Sequence, residues 1–475
     1  MTSSSHHVIV IGAGASGLMA AQELLTQQRA GCADIDLRIT IVEACSEIGG
    51  RVKGVRDLVE GHVVEMGAEI CHGQGTVLTD LVERYTPRWA HHLQQRNGNQ
   101  LPLYEDIFIT SYADGGPSPV PTRNGKYGMY YCGGELMNYD DVRLHPLERL
   151  LGTMHELPCT ETTSIQDVLA DLPVHLQEMA VAGYGNTAGN TRLENTSLQM
   201  MLAFEEHWEE TEGEGDTWLN SKISMSGVVQ ELYSDLQQHP NLEVMLSWKA
   251  AKVETSEDRI RILSTDGAVL CGDSVIVTMP PKYWSDILEL PQEKEIARKF
   301  VGGEALMKVI LKFRERPWPV GLQGLICADG LPIPELWFRE LGDSHIAVCF
   351  LNSGFAEKLL ELSKGDKNEA TKIVVNQLST VLSIPLPDLE FKYVETRMHV
   401  WDVGYMFPKV GLTPANMEEM AKPHGNVYFA GEGTHTKACC TVHAAMETGI
   451  RAAQQILEHL ASPSESCNGR TVLKV

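Results

Sequence analysis

Val8-Ile9-Val10-Ile11-Gly12-Ala13-Gly14-Ala15-Ser16-Gly17-Leu18 passes from a β-branched apolar run directly into glycines at the first, third and sixth positions of a Gly-x-Gly-x-x-Gly pattern. Leu18, Ala21 and Leu25 continue with helical spacing, so strand, tight turn and helix are predicted, the helix over residues 18–28. Glycines there let the backbone turn sharply and approach a pyrophosphate, whose charge then meets the free N–H groups and positive dipole end of the helix. A second apolar strand is predicted over residues 37–42, closing at Glu43, where a carboxylate accepts hydrogen bonds from adenosine ribose hydroxyls. Gly17 and Glu43 lie further apart than the usual spacing of about 20, and the loop 31–36 accounts for the difference. An acidic residue at that place disfavours a 2′-phosphate, so FAD or NAD is expected rather than NADP.

A chain of 475 residues is too long for one ordinary core, and two or three domains, some discontinuous, are expected. Its composition, 43% hydrophobic and 21% charged, is that of a globular protein. No apolar run approaches the roughly 20 residues of a membrane span, and Met1 to His7 carries neither the basic nor the apolar region of a secretory leader. The eleven cysteines lack zinc or disulfide spacing, so no metal and a reducing, cytoplasmic location are expected. A net charge of −24 argues against nucleic acid as a partner. Solubility or the steering of cationic solutes accounts for it equally well.

The segment Glu43-Ala44-Cys45-Ser46-Glu47-Ile48-Gly49-Gly50-Arg51 places Gly-Gly-Arg just past the second strand, where the backbone can approach a pyrophosphate and a fixed cation can neutralise it. Here the sequence resembles the flavin-containing amine oxidases, the family of polyamine oxidases, monoamine oxidases and lysine-specific histone demethylases. The resemblance implies that Glu43, Ala44, Gly50 and Arg51 join Gly12, Gly14, Ser16 and Gly17 in holding FAD. Glu65-Met66-Gly67-Ala68-Glu69-Ile70-Cys71-His72-Gly73 is similar to the family segment running beneath the flavin ring, which implies cofactor contacts for Gly67, Ala68, Glu69 and Ile70. Ile70 stands where many members have tryptophan. His72 falls where polyamine oxidases carry a substrate-facing histidine or glutamate, and the resemblance makes it the residue that positions the reacting nitrogen.

Residues 79–216 have little glycine punctuation and alternate helical patterns with loops, as in 165–172 and 198–208. Positions 205–216 hold seven acidic side chains, a run that reads as a solvated helix end or, alternatively, as an entrance funnel for a polycation. Ser226 to Leu232 resembles the family's small-residue helix start. Residues 242–253 read as a strand, with Val253 matching the family residue that meets the adenine. Asp266-Gly267 is a hairpin signal, and residues 274–278 form a buried strand stopped by Pro280.

Met307 to Phe313 is a strand pattern whose lysines, Lys308 and Lys312, share a parity. Gly302 to Val309, with Phe313 and Trp318, resembles the family segment whose lysine holds a water at the flavin N5, a role that falls on Lys308; Lys312 reads as a solvated edge residue. Phe429-Ala430-Gly431-Glu432 and Thr441-Val442-His443 match the polyamine-oxidase and demethylase form, implying cofactor contacts for Gly431, Glu432, Thr441 and Val442. The helix beginning there would aim N–H groups at the flavin's pyrimidine edge. Thr441, Tyr405 and Trp401 are implied on the substrate side. Leu306 replaces an aromatic of some polyamine oxidases, and Cys440 replaces a usual glycine. The neighbourhood where monoamine oxidases tether FAD through cysteine has no such residue, so the flavin is expected to be non-covalent.

The resemblance spans about residues 8–460. It implies an α/β protein with a discontinuous, Rossmann-like FAD-binding domain (1–78, 217–286 and 413–461), a second α+β substrate-binding domain (79–216 and 287–412) and a flexible tail (462–475). The implied reaction is oxidation of a polyamine such as spermine, spermidine or an acetylated derivative, with a small cationic amine and O2 as partners. A monoamine or amino-acid oxidase, and a catalytically silent polyamine-binding scaffold, remain the alternatives. The long helical insertion of the histone demethylases has no room in this chain.

Overall fold

The computed structural model describes residues 5–29, 36–91, 93–94, 101–106, 126–187, 190–212, 216–256, 259–438 and 440–461, with 209–212 described by backbone alone. The loop 31–35, the proline patch 117–121, part of the acidic run and the tail 462–475 therefore lie outside the described residues.

The opening apolar run forms the strand Ser5–Ile11, and the helix Ala15–Arg29 follows it. Val8, Ile9 and Val10 are fully buried because the strand lies at the centre of a five-stranded parallel sheet. The strand order is Leu242–Met245, Asp36–Val42, Ser5–Ile11, Ser274–Val277 and Val427–Phe429, with Val10 opposite Ile41 on one side and Ile276 on the other. The α/β fold with a parallel nucleotide-binding sheet is thus the one expected.

One face of this sheet is covered by Ala15–Arg29 and the last helix, Val442–Ala461, through Leu18, Ala21, Met446 and Ala453. The two helices cross very closely. A Cβ on Gly449 would stand 2.1 Å from the carbonyl oxygen of Ser16, so no larger residue permits that crossing. The other face packs on an antiparallel sheet of Ala250–Thr255, Ile260–Ser264 and Val269–Gly272, whose last turn holds Gly267 at φ +88° as its Asp-Gly signal demands.

Residues 242–253, expected as one strand, are two strands in different sheets. Ser247 turns the chain between them in the left-handed region, at φ +55°, and the Trp248 N–H donates to Glu43 O at 2.7 Å. The helix expected over 165–172 stops after Ile165–Leu169, which opens on a Ser164–Asp167 capping box.

A seven-stranded sheet stands apart, in the order Tyr393–Trp401, Leu306–Phe313, Ser344–Asn352, Glu335–Leu341, Leu322–Cys327, Tyr127–Cys132 and Glu135–Asn138. The last two strands were not foreseen in a stretch read as helix and loop. Met307, Val309, Leu311 and Phe313 pack on the helices Gly354–Ser363 and Lys367–Val381. The opposite parity of the same strand packs Leu306 and Ile310 against Met66, Ile70, Trp218 and Tyr405. This second face meets the segment 64–70, and Lys308 and Lys312 lie on it. Among the described residues no helix is long and apolar enough to cross a membrane.

Candidate active site

The glycine turn is shaped by what side chains would strike. Gly12 has φ +113° and its N–H donates to Val42 O at 2.8 Å; a Cβ there would lie 2.3 Å from Thr278 Oγ1. At Gly17 a Cβ would lie 2.0 Å from the carbonyl oxygen of Gly12. Gly14 differs, because a Cβ there would meet only Gly49 O, at 3.8 Å, among the described residues. Gly50, at φ +56°, faces it, with a hypothetical Cβ 3.5 Å from Gly14 Cα. Two glycine turns thus border a space beside the first N–H groups of Ala15–Arg29, which have no intrahelical acceptor.

Glu43 is buried and accepts the N–H of Ala13 at Oε2 and of Cys45 at Oε1, each at 2.8 Å, tying the end of the second strand to the glycine turn. Each oxygen retains a lone pair for a ribose hydroxyl. Ala44 beside it is exposed, Ser16 is buried with its Oγ 3.4 Å from Thr448 Oγ1, and Val253 is buried in the cluster that contains Val42.

Arg51 joins two motifs nearly four hundred residues apart, donating from Nη1 to Glu432 Oε1 at 2.7 Å and to Gly404 O at 3.1 Å. Glu432 Oε2 accepts the N–H of Cys440 at 3.2 Å, while the Gly431 N–H donates to Thr448 Oγ1 at 2.9 Å. Thr441 caps the last helix through the Ala444 N–H at 3.2 Å, so the N–H groups of Val442 and His443 remain outside the helical ladder. The glycine-bordered space, the Arg51 cation and two helix starts fit a dinucleotide with a flavin at its far end. Cys440 has φ +69°, the left-handed region in which a glycine rests without strain.

The residues expected on the substrate side, Thr441 apart, lie on or beside the second face of the seven-stranded sheet. Lys308 Nζ, 1% exposed, donates to Glu69 Oε2 at 2.8 Å and Gly67 O at 2.9 Å, with Glu65 O at 3.4 Å. Arg339 Nη1 donates to Glu69 Oε1 at 3.0 Å, and its Nη2 lies 3.6 Å from Glu105. Burial works against the Glu69 carboxylate, but Lys308 and Arg339 outweigh it and hold the group below the usual carboxylate range. Ala68, next to Glu69, donates its N–H to Arg51 O at 3.0 Å, linking the buried charges to the cofactor cradle. Lys312, by contrast, donates to Leu58 O at 2.6 Å, a structural contact.

His72 and Asp216 lie opposite one another on paired strands, Nδ1 to Oδ1 2.9 Å, with both side chains more than a third exposed. Burial raises and His72 lowers the Asp216 carboxyl, with a net fall. Ile70 and Trp218 make the next pair of the same parity and pack with Leu306, Trp337, Phe350, Trp401 and Tyr405. The Tyr405 ring stacks on Phe350 (6.4 Å between centroids, 13°) and Phe350 on Trp337 (5.1 Å, 19°). Trp401 Nε1 is buried without a hydrogen-bond partner among the described residues.

Asp216 was read only as the end of the acidic run 205–216, and Phe350, Trp337, Trp218, Arg339 and Glu335 were not foreseen. Each sits in an ordinary strand pattern, and only strand pairing brings it to the site. Phe350 supplies the aromatic neighbour of Tyr405 that Leu306 does not.

The flavin containing amine oxidoreductase family matches residues 15–457. Relatives include a probable polyamine oxidase 5 of Arabidopsis thaliana, 24% identical over 95% of this chain and 98% of its own, and an L-amino-acid oxidase of Notechis scutatus scutatus, 22% identical over 98% and 89%. Putrescine oxidase bound to putrescine superposes with a TM-score of 0.69 at 16% identity, covering 96% of this chain and 99% of its own. Cyclohexylamine oxidase from Brevibacterium oxydans IH-35A gives 0.69 at 14%, covering 96% and 98%; at such identities both establish the fold alone. With its cradle, its two helix starts and its matched length, the chain belongs to the flavin containing amine oxidoreductases, and its cofactor is FAD.

Proposed function

We propose that this chain oxidises a polyamine or a similar aliphatic amine, with non-covalently held FAD. The observation that carries the reading is the site's second face: a stack of flat rings beside the half-buried His72–Asp216 pair, suited to a slender alkyl chain bearing a cation. The reacting nitrogen must be neutral so that its lone pair assists loss of hydride from the adjacent carbon. FAD would supply the hydride acceptor and, with O2 as final oxidant, release hydrogen peroxide. The imine left behind hydrolyses to an aldehyde and an amine.

In this reading Asp216 fixes the His72 ring by accepting from Nδ1, and the imidazole so held positions the reacting nitrogen. Glu69 and Gly67 engage two of the three hydrogens of Lys308; the third, on its long approach to Glu65 O, is the one able to hold a water. Arg51 and the start of Val442–Ala461 counter the negative charge of the pyrophosphate and of the reduced ring. Tyr405, Trp401 and Thr441 line the substrate side. The cofactor and substrate units are proposed as 1–78, 217–286, 413–461 and 79–216, 287–412.

Amino-acid oxidation would need an arginine for the substrate carboxylate. The buried Arg339 faces Glu69 and Glu105 instead, which favours an amine without a carboxylate. The test is anaerobic mixing of the FAD-loaded protein with spermine, spermidine, their acetyl derivatives, simple monoamines and L-amino acids. Rapid bleaching of the yellow flavin by a polyamine is expected. Faster bleaching by an L-amino acid, or none by any amine, overturns the proposal; the latter result leaves a binding scaffold.

A further inference from the structure

The buried carboxyl of Glu335 has no part in the cofactor cradle or in the Lys308–Glu69–Arg339 cluster, yet it lies on the same sheet face. Pairing puts Glu335, Phe350, Lys308 and His399 on a single rung across four strands. Glu335 is 2% exposed, and both of its oxygens accept hydrogen bonds: Oε1 from Trp337 Nε1 at 2.8 Å, Oε2 from Asn186 Nδ2 at 2.9 Å.

Those two donors lead to opposite ends of the ring stack. Trp337 is its first ring. At the other end, the Tyr405 hydroxyl donates to Thr187 O at 2.5 Å and approaches Asn186 O at 3.4 Å. Asn186 is itself locked: Nδ2 also donates to Phe350 O at 3.1 Å, and Oδ1 accepts the Asn352 N–H at 2.7 Å. The contacts close a loop from Glu335 through Trp337, Phe350, Tyr405 and Asn186 back to Glu335.

We propose that Glu335 is a positioning residue which, through Trp337 and Asn186, fixes the spacing of the Trp337–Phe350–Tyr405 rings and so sets the site's preference between slender and bulky amines. This rests on the proposed placement of substrate against those rings. The requirement for an acid follows from the donors, since only a carboxylate of this length accepts at both oxygens; glutamine would turn an N–H toward one of them. Burial opposes that charge and raises the group to about 7, while the hydrogen bonds from Trp337, Asn186 and Thr187 and the charge of Lys308 restrain the rise. Of the other titratable groups nearby, Tyr184 turns its hydroxyl to Glu205, and Tyr405 donates to carbonyls rather than to the carboxyl.

The test compares FAD-loaded wild type, Glu335→Gln and Glu335→Gln/Asn186→Asp by anaerobic flavin reduction with 1,8-diaminooctane and benzylamine. The double variant exchanges donor and acceptor between positions 335 and 186. Glu335→Gln is expected to change the ratio of half-saturating concentrations for the two amines by about tenfold, the equivalent of one buried hydrogen bond, with a smaller change in limiting rate. The double variant is expected to restore much of the ratio. An unaltered ratio in Glu335→Gln, or an altered one that the exchange leaves untouched, overturns the proposal.

A second readout needs no turnover. The tryptophan fluorescence removed by Trp337→Phe should show a transition near pH 7 in the wild type that Glu335→Gln abolishes. A transition that persists in Glu335→Gln overturns the assignment. If neither amine reduces the wild-type flavin, the amine-oxidase reading fails by itself, and the fluorescence decides the role of Glu335.

Discussion

The dinucleotide cradle and the ring-lined sheet face are built on opposite principles. In the cradle, function comes from missing side chains: Gly12, Gly17 and Gly449 stand where a Cβ would strike backbone or Thr278. On the sheet face it comes from side chains that strand pairing alone brings together, such as Glu335, Phe350 and Lys308 on one rung. The first tolerates almost no addition. The second tolerates exchange wherever charge and hydrogen bonds balance, as the offset of Glu69 by Lys308 and Arg339 illustrates.

The severest break is predicted in the cradle. Gly17→Ala puts a methyl 2.0 Å from Gly12 O, and the purified protein is expected to lose essentially all its flavin absorbance. Full FAD content in that variant would refute the view that the cradle is defined by absent atoms. On the sheet face, Glu69→Leu strands two buried cations, and denaturant unfolding should show a loss of about 3–5 kcal/mol. A loss within error of zero would mean that the cluster carries no structural charge balance.

Two of the carboxyls at the site, Glu335 and Asp216, sharpen the contrast through pH. Glu335 is raised from 4.5 to about 7, so the folded state binds more protons than the unfolded between those values, and stability falls by about 3 kcal/mol as pH rises through that window. Glu335→Gln should flatten this slope in unfolding curves measured from pH 4.5 to 7. Asp216 is lowered, so its contribution is present above its unfolded value and is lost as pH falls through the folded one. Asp216→Asn should flatten only the acid limb. Smallest of all, Cys440→Gly relieves the φ +69° backbone and should raise stability by about 1 kcal/mol, read as a higher unfolding midpoint. A drop would show that the cysteine side chain contributes more than its backbone costs.

Much of the cradle was legible in the sequence because its requirements are local. Gly12 to Gly17, Glu43 and Gly50-Arg51 announce turns, a strand end and a cation within short stretches. The partner of Arg51, Glu432, was legible only through family resemblance, since nothing near Gly431 points to residue 51. The ring wall was less legible. Phe350 reads as one more apolar residue of a buried strand, and its place beside Tyr405 depends on register between strands far apart in sequence. Residues 242–253 failed as a single strand for a related reason: the run is apolar enough to continue, and only the left-handed Ser247 breaks it.

The contact of Gly449 with Ser16 carries a further consequence for the order of events in biosynthesis. The helix proposed to receive the pyrophosphate is made at the beginning of translation, and the helix proposed to close the flavin end some four hundred residues later. Because each is seated against the other, the nascent chain has no complete berth for FAD until Val442–Ala461 has left the ribosome. Loading of the cofactor is therefore expected after translation, and a yellow protein would be one whose two ends have met.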